Sequence, residues 1–251
     1  MRSSLIIGNW KMHGSLDSVR RLLTAILAES GSVAATTQLG VCPSFVHLPL
    51  AREMLSGSSV SLGAQNVHAE EQGAYTGEVA ASMLAEMGLE YVLVGHSERR
   101  QLYAESDADV AAKFLTVQNH GMQPVLCLGE TLAEREQGIT SEVVLRQLNA
   151  VIEAAGIEAF ARAVIAYEPV WAIGTGKTAS PEQAQEVHAV IRQRLAEKDA
   201  DVAANTRLLY GGSVKSGNAV ELFSQADIDG GLVGGASLAA DEFIAICKSA
   251  D

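Results

Sequence analysis

A glutamate followed directly by a proline is the feature of this sequence that points most clearly to chemistry. The apolar run at 163–166 and Tyr167 lead into Glu168, and Pro169 comes next. Proline has no N–H to donate to a sheet, so we expect a strand to end here with the Glu168 carboxylate at its carboxyl-terminal tip. Such a carboxylate can act as a general base, although a solvent-exposed glutamate in an ordinary strand-to-helix connection would have the same local sequence.

The segment after Glu168 is typical of a loop that closes over a substrate. It begins with the stiff residues 169–171, continues through the small residues 172–176 and ends near Lys177. A loop of this kind can exclude water when it closes, and its glycine-rich backbone can donate N–H groups to an anion. Glycine-rich loops are common, so the signal is weak without the neighbouring glutamate.

Residues with other chemical functions follow other apolar runs of the chain. Asn9 and Lys11 come after the first run, His96 after the fourth, and glycine pairs at 211–212 and 234–235 after the seventh and eighth. One such residue alone indicates little, because a single histidine at a strand end is usually structural. Their combination predicts a base, a histidine, a cation and a phosphate site on one face of the protein.

This set of residues fits proton transfer next to a carbonyl group. Glu168 can remove a proton from carbon, while His96 and Asn9 can donate hydrogen bonds to the enediolate oxygens that become negative. Lys11 adds a positive charge near the enediolate and near a substrate anion. Glycine also lets backbone N–H groups approach a phosphate closely. The candidate phosphate-binding residues are Gly174, Ser213, Gly234 and Gly235.

The elements that must position these residues alternate between strand and helix. Eight short apolar runs predict strands that are buried on both faces, hence a parallel sheet. These runs lie at 5–10, 37–43, 60–67, 91–97, 123–130, 163–170, 207–214 and 229–238. Segments with helical periodicity separate them. Ser106 and Ser180 are predicted N-caps, and Gly88, Gly121 and Gly156 are predicted helix ends.

Eight strand–helix units in 251 residues predict an α/β fold. The specific fold that we expect is a single (β/α)8 TIM barrel with a parallel eight-stranded sheet. We expect this barrel to span residues 1–251 as one catalytic domain. The functional face of such a barrel is built by the loops that follow the strands, which is where the residues above are placed. An open doubly wound sheet is the alternative, but no predicted strand is followed by a G-x-G-x-x-G pattern with a later acidic residue.

Composition limits the partners and the location of the protein. The net charge of −12 argues against nucleic acid or an anionic membrane as a partner, so any anionic substrate must be bound by local groups. The sequence shows neither a signal-peptide pattern nor an apolar run of ~20 residues, and we expect a cytoplasmic protein. Cys42, Cys127 and Cys247 lack metal-ligand spacing and are expected to be reduced thiols.

Seven motifs together resemble the triosephosphate isomerase family, in order and over nearly the whole chain. They are GNWKM (8–12), QNVHAEEQGAYTGE (65–78), VGHSERR (94–100), CLGETLAERE (127–136), AYEPVWAIGTGKTAS (166–180), YGGSV (210–214) and DGGLVGGASL (229–238). The resemblance implies a homodimeric barrel enzyme that interconverts dihydroxyacetone phosphate and D-glyceraldehyde 3-phosphate. It also implies that no cofactor or metal is needed, and that the enzyme acts in glycolysis and gluconeogenesis.

The resemblance further implies roles for individual residues. Glu168 is similar to the family's proton-transfer base and His96 to its electrophile. Asn9 and Lys11 resemble its oxygen-binding and electrostatic residues. By the same resemblance, the phosphate binders are Gly174, Ser213, Gly234 and Gly235, the supporting residues are Ser97 and Glu98, and the residue that enters the neighbouring subunit's site is Thr76.

Four residues, at three places in the chain, depart from the family pattern without removing a catalytic residue type. His13, Ser216-Gly217 and Ala239 stand where Asn, a Pro-acidic pair and Lys are common.

Two other functions are weighed against isomerisation. A sugar-phosphate epimerase or lyase on the same fold would need a metal site or a Schiff-base lysine deep in a strand, and the sequence indicates neither. A non-catalytic barrel protein would lack at least one of the base, the histidine and the lysine, and all three are present.

Overall fold

The computed structural model describes residues 2–174 and 178–250. Within them, eight parallel strands form a closed barrel in which each strand pairs with the next along the chain and the last pairs with the first. The strands are β1 Ser4–Asn9, β2 Thr37–Cys42, β3 Val60–Ala64, β4 Tyr91–Val94, β5 Gln123–Leu128, β6 Val164–Tyr167, β7 Arg207–Tyr210 and β8 Gly230–Val233. The predicted barrel is therefore confirmed, and the open-sheet alternative is wrong.

Helices surround the barrel, and none of those in the described ranges is long and apolar enough to cross a membrane. They are α1 Leu16–Ser30, α2 Leu48–Leu55, α3 Ala81–Glu86, α4 Ser97–Leu102, α5 Asp107–Asn119, α6 Leu132–Glu136, α7 Thr140–Ala155, α8 Pro181–Ala196, α9 Ala200–Asn205, α10 Ser216–Phe223 and α11 Ala240–Lys248. Ser106 and Ser180 cap α5 and α8, as predicted, by accepting a hydrogen bond from the backbone N–H three residues later. The three predicted terminal glycines all have positive φ after their helices.

The predicted strands extend too far at their carboxyl ends. β3, β4 and β8 end at 64, 94 and 233 rather than at 67, 97 and 238. β5, β6 and β7 end at 128, 167 and 210 rather than at 130, 170 and 214. The apolar and small residues continue because the loops that follow are themselves buried or turn into short helices, including a 3₁₀ helix at Gly235–Leu238. Glu168 is consequently the first residue after β6.

Two apolar layers explain why the strand sequences are apolar without alternation. Leu5 and Ile7 of β1 point into the barrel with residues of the other strands, whereas Ile6 packs in the larger cluster between barrel and helices. Successive side chains on a strand face opposite sides, so both faces of each strand are buried. Cys42 and Cys127 lie buried in the interior cluster as free thiols.

The barrel closes at a position that only glycine fits. Gly230 begins β8 with a φ of +133°, and a Cβ placed on it would lie 2.1 Å from the carbonyl oxygen of Leu5. Leu5 and Gly230 are partners in the register between β1 and β8. The close approach of these two backbones therefore depends on the missing side chain.

We predict that Gly230→Ala lowers the free energy of unfolding by at least ~2–3 kcal/mol, because the added methyl group meets backbone and the positive φ is strained. Urea unfolding followed by circular dichroism measures the change. Gly217→Ala in α10 is the matched control: a Cβ there meets nothing within 4 Å, and we expect a change within about 1 kcal/mol. Equal stability of the two variants would contradict the account of barrel closure.

Candidate active site

A cavity of about 510 Å³ opens at the carboxyl ends of the strands. The structure brings most of the predicted site residues to its wall: Asn9, Lys11, His96, Glu168, Gly174, Ser213, Gly234 and Gly235. Ser97 and Glu98 follow His96 at the start of α4. Thr76 is exposed on the loop between β3 and α3 and is not among the described residues that line this cavity.

The Glu168 carboxylate is buried and has a hydrogen-bonding partner at each oxygen. The residue is 1% exposed, its Oε1 lies 2.9 Å from His96 Nε2, and its Oε2 accepts a hydrogen bond from the Ser97 N–H at 2.8 Å. Burial raises the pKa of this carboxyl, but the interactions with His96, the Ser97 N–H and the Lys11 charge lower it by more. The pKa of Glu168 thus lies below its usual value, and the side chain is an ionised base at neutral pH.

The His96 ring is oriented by the helix that it begins. As the N-cap of α4, it accepts a hydrogen bond at Nδ1 from the Glu98 N–H at 3.2 Å. A ring nitrogen that accepts has no proton, so the single proton lies on Nε2 and is directed at Glu168. Burial lowers the pKa of His96, and the adjacent Glu168 carboxylate raises it by more. When that carboxylate moves away, burial, the Lys11 charge and the helix N-terminus still lower the pKa of the ring, and the Glu98 carboxylate still raises it.

Lys11 adopts a strained backbone conformation that neighbouring residues stabilise. Its φ is +50°, which is uncommon outside glycine. Its carbonyl oxygen accepts hydrogen bonds from Ser44 Oγ at 2.9 Å and Gln65 Nε2 at 2.8 Å. Its N–H donates to Asn9 Oδ1 at 3.0 Å. Strain of this kind persists only where the surroundings fix it, and it is concentrated at functional sites.

The Lys11 ammonium lies on the cavity wall near the backbone of Gly234. Its Nζ pairs with Glu98 Oε1 at 2.5 Å, and it lies 4.0 Å from the position that a Cβ on Gly234 would occupy. The 3₁₀ helix Gly235–Leu238 starts at this point, so its first backbone N–H groups have no partner within the helix. Asn9 also lines the cavity, and its Oδ1 accepts from the Lys11 N–H, so the donors that its side chain can offer are those of its NH₂ group.

The segment after Glu168 is held by a buried carboxylate. Trp171 lies in a 3₁₀ helix at Val170–Ala172, and its Nε1 donates to Glu130 Oε1 at 2.9 Å. The Tyr167 hydroxyl donates to the same carboxylate at 3.1 Å. Gly174 has a φ of +69° and reaches the cavity. The tip of the predicted closing loop, 175–177, lies outside the described residues.

Several residues that contribute to the site were not identified from the sequence. Ser44 and Gln65 fix Lys11, but the strain that makes them necessary is not visible in residue types. Lys215 and Glu242 also line the cavity. Lys215 directly follows the predicted run at 207–214, a position that could have identified it, whereas Glu242 does not follow a run. No group of three or more His, Cys, Asp or Glu side chains in the described parts of the chain is arranged to hold a metal ion.

Comparison with known proteins gives a consistent result. The family model described as "Triosephosphate isomerase" matches residues 4–250. A triosephosphate isomerase from Thiobacillus denitrificans is 60% identical over 250 residues, which cover 100% of this chain and 99% of the relative. One from Dechloromonas aromatica is 60% identical over the full length of both chains. One from Alcanivorax borkumensis is 56% identical, covering 100% of this chain and 99% of the relative.

We predict that Ser97→Pro raises the pKa of Glu168, because the carboxylate loses the Ser97 N–H that stabilises its charged form. The backbone allows proline, since Ser97 is the first residue of α4 and His96 before it is extended. The base in the variant then becomes protonated at a higher pH than in the parent. We therefore expect the ratio of kcat/KM at pH 5 to kcat/KM at pH 8 to be roughly tenfold lower in the variant than in the parent.

Ser97→Ala is the matched control for this measurement. It removes the hydroxyl group and keeps the N–H, so its pH profile should follow that of the parent. The acid limb of kcat/KM against pH reports the comparison. An unmoved acid limb in the proline variant would show that the N–H does not stabilise the ionised base.

Proposed function

The chain belongs to the triosephosphate isomerase family, and we propose that Glu168 is the base with which it interconverts dihydroxyacetone phosphate and D-glyceraldehyde 3-phosphate. The observation that supports this assignment is the buried Glu168 carboxylate at 2.9 Å from His96 Nε2, on the wall of a cavity that Lys11 also lines. The enzyme is a triose-phosphate isomerase. No observation favours an epimerase, a lyase or a non-catalytic barrel.

The phosphate group is bound at the end of the cavity formed by the glycine-rich turns. The backbone N–H groups there belong to Gly174, Ser213, Gly234 and Gly235. Lys11 supplies the positive charge, because its ammonium lies beside Gly234. The chain is strongly acidic overall, so these short-range donors must overcome an unfavourable long-range field.

Proton transfer begins when Glu168 leaves its resting hydrogen bonds. The carboxylate removes a proton from the carbon that bears the hydroxyl group, and the electrons form the enediolate. The departure of Glu168 releases His96 Nε2–H, which then donates to a substrate oxygen together with the Asn9 amide. Glu168 returns the proton to the neighbouring carbon. The hydroxyl proton must also pass from one oxygen to the other, so His96 Nε2 gives its proton to the oxygen of the former carbonyl group and takes one from the oxygen that becomes the new carbonyl. Because the two trioses are isomers, the reaction needs no external oxidant or reductant.

Closure of the loop at 169–179 completes the site in this account. As the loop moves, the hydrogen bond from Trp171 to Glu130 would break. The closed loop would exclude water from the enediolate. Residues 175–177 are included in this loop because of their sequence, since they lie outside the described residues. The whole chain, 1–251, works as one catalytic domain in the cytoplasm, which agrees with the buried thiols of Cys42 and Cys127.

A homodimer is supported by exposed apolar side chains in the loops and short helices that follow β1 to β4 at the barrel's carboxyl face. Those exposed by more than 40% of their area are Met12, Val46, Tyr75, Met83, Leu102 and Tyr103. Hydrogen bonds from Ser44 and Gln65 to Lys11 join three of these loops. Large exposed apolar areas mark interfaces. In the dimer, Thr76 would reach the partner subunit's site and buttress the residues around Lys11.

Glu168→Gln should reduce kcat by at least ~10²–10⁴-fold while the fold is preserved, because the amide cannot accept the proton. A coupled assay with glyceraldehyde 3-phosphate measures turnover, and far-ultraviolet circular dichroism measures the fold. Glu136→Gln changes the charge equally on an exposed helix position and should keep the parent rate. Near-parent turnover in the Glu168 variant would mean that another group is the base.

Replacing residues 73–78 by two glycines should give a monomer with low activity and an intact barrel, because this loop contains Thr76 and the exposed Tyr75. Light scattering measures the mass in solution, and circular dichroism measures helix and strand content. Val220→Asp also removes an exposed apolar side chain, but on α10, and should leave a dimer. A fully active monomer would disprove the contribution of one subunit to the other's site.

A further inference from the structure

Two turns of the proposed phosphate site are each fixed to the helix that follows them. Ser213 lies after β7, and the Asn218 side chain in α10 donates to its carbonyl oxygen at 3.1 Å and accepts the Lys215 N–H at 2.8 Å. Gly234 lies after β8, and its carbonyl oxygen accepts from the N–H and the hydroxyl of the buried Ser237 at 2.9 and 2.7 Å. The 3₁₀ helix that contains Ser237 leads into α11. The position of each turn therefore depends on the position of its helix.

The sheet joins the strands before these turns at few points. In the described chain, β7 and β8 share one register pair, Tyr210 with Gly231, whereas the other neighbouring strands share at least two. Segments with few contacts open and shift more readily than densely paired ones. Contacts outside the sheet must therefore contribute to the separation of the two turns.

Glu242 and Ser216 make such a contact between the two helices. Glu242 lies in the first turn of α11, and Ser216 is the first residue of α10. The Glu242 Oε1 accepts the Ser216 N–H at 2.8 Å, and its Oε2 accepts the Ser216 hydroxyl at 3.0 Å. Glu242 lines the same cavity as Ser213 and Gly234. Ser216 is one of the residues that depart from the family pattern, and a proline there would have no N–H to offer this carboxylate.

We propose that Glu242 is a positioning residue, which ties α10 to α11 and so holds the two turns at the separation that lets both donate to one phosphate. Donors that are fixed before the ligand arrives bind it without the cost of being ordered. The charge of Glu242 acts in the opposite direction, because a carboxylate near an anion repels it. The inference rests on the proposed function, because that function assigns the phosphate to these turns.

Two variants of Glu242 separate its hydrogen bonds from its charge. Glu242→Gln and Glu242→Ala both lack the charge. Gln keeps an oxygen that can accept the Ser216 N–H and an NH₂ group that can donate to the Ser216 hydroxyl, whereas Ala keeps neither. Titration calorimetry with propyl phosphate, which has the phosphate but no carbonyl or hydroxyl group, measures the dissociation constant. We expect this constant to be about fivefold or more higher in the Ala variant than in the Gln variant.

A substrate without a phosphate tests whether the effect belongs to phosphate binding. We expect kcat/KM for glyceraldehyde 3-phosphate to be lower in the Ala variant than in the Gln variant by about the same factor as the affinity for propyl phosphate. For glyceraldehyde, which has the same reacting carbons, kcat/KM of the two variants should agree within about twofold. Asp241→Ala shortens an acidic side chain at the adjacent exposed position, and it should bind propyl phosphate within about twofold of the parent.

The proposal is overturned if the Ala and Gln variants bind propyl phosphate equally, or if Asp241→Ala weakens binding as much as Glu242→Ala does. It is also overturned if glyceraldehyde turnover falls as much as that of the phosphorylated substrate, because the effect would then be a general loss of structure. Failure of the proposed function would look different. Propyl phosphate would then not compete with glyceraldehyde 3-phosphate in the isomerase assay, or Lys11→Met would bind it as tightly as the parent does. Competition by propyl phosphate together with equal affinities of the two Glu242 variants would overturn only the role of Glu242.

Discussion

The burial of one charged carboxylate constrains the rest of this active site. An ionised side chain is stable away from water only when other groups donate hydrogen bonds to it. The donors to the Glu168 carboxylate are His96 Nε2 and the Ser97 N–H. Both donors come from the start of α4, so the residues just after β4 must reach the level at which β6 ends. The register provides that alignment, because Val94 at the end of β4 is level with Leu126 and Ile165, two residues before the end of β6 at Tyr167.

Two glycines beside Glu168 leave the room that this arrangement needs. A Cβ on Gly129 would lie 1.8 Å from the Glu168 carbonyl oxygen, and one on Gly211 would lie 2.8 Å from the Glu168 Cγ. In the proposed mechanism, His96 Nε2–H, one of the donors that lower the pKa of Glu168, can donate to the substrate after the carboxylate moves.

Much of the fold and of the site could be predicted from the sequence, for physical reasons. Strands buried on both faces have uninterrupted apolar sequences, and proline at 169 forces a strand end, so the barrel and the position of Glu168 follow from local patterns. The ends of β3 and β8 could not be located, because apolar residues continue into buried loops. The strain at Lys11 and the side chains of Ser44 and Gln65 that stabilise it depend on contacts between distant loops. The bond from Glu242 to Ser216 joins two helices, and no local pattern indicates it.

The central claim is that Glu168 rests as a buried, ionised base, and its carboxyl ¹³C signal tests this most directly. The protein is labelled with ¹³C at glutamate side-chain carboxyl groups, and Glu168→Gln assigns the resonance. The account predicts that the shift stays that of a carboxylate as the pH is lowered through 4.5, the usual pKa of glutamate, for as long as the fold persists. A signal that titrates above pH 4.5 in the folded protein would contradict it.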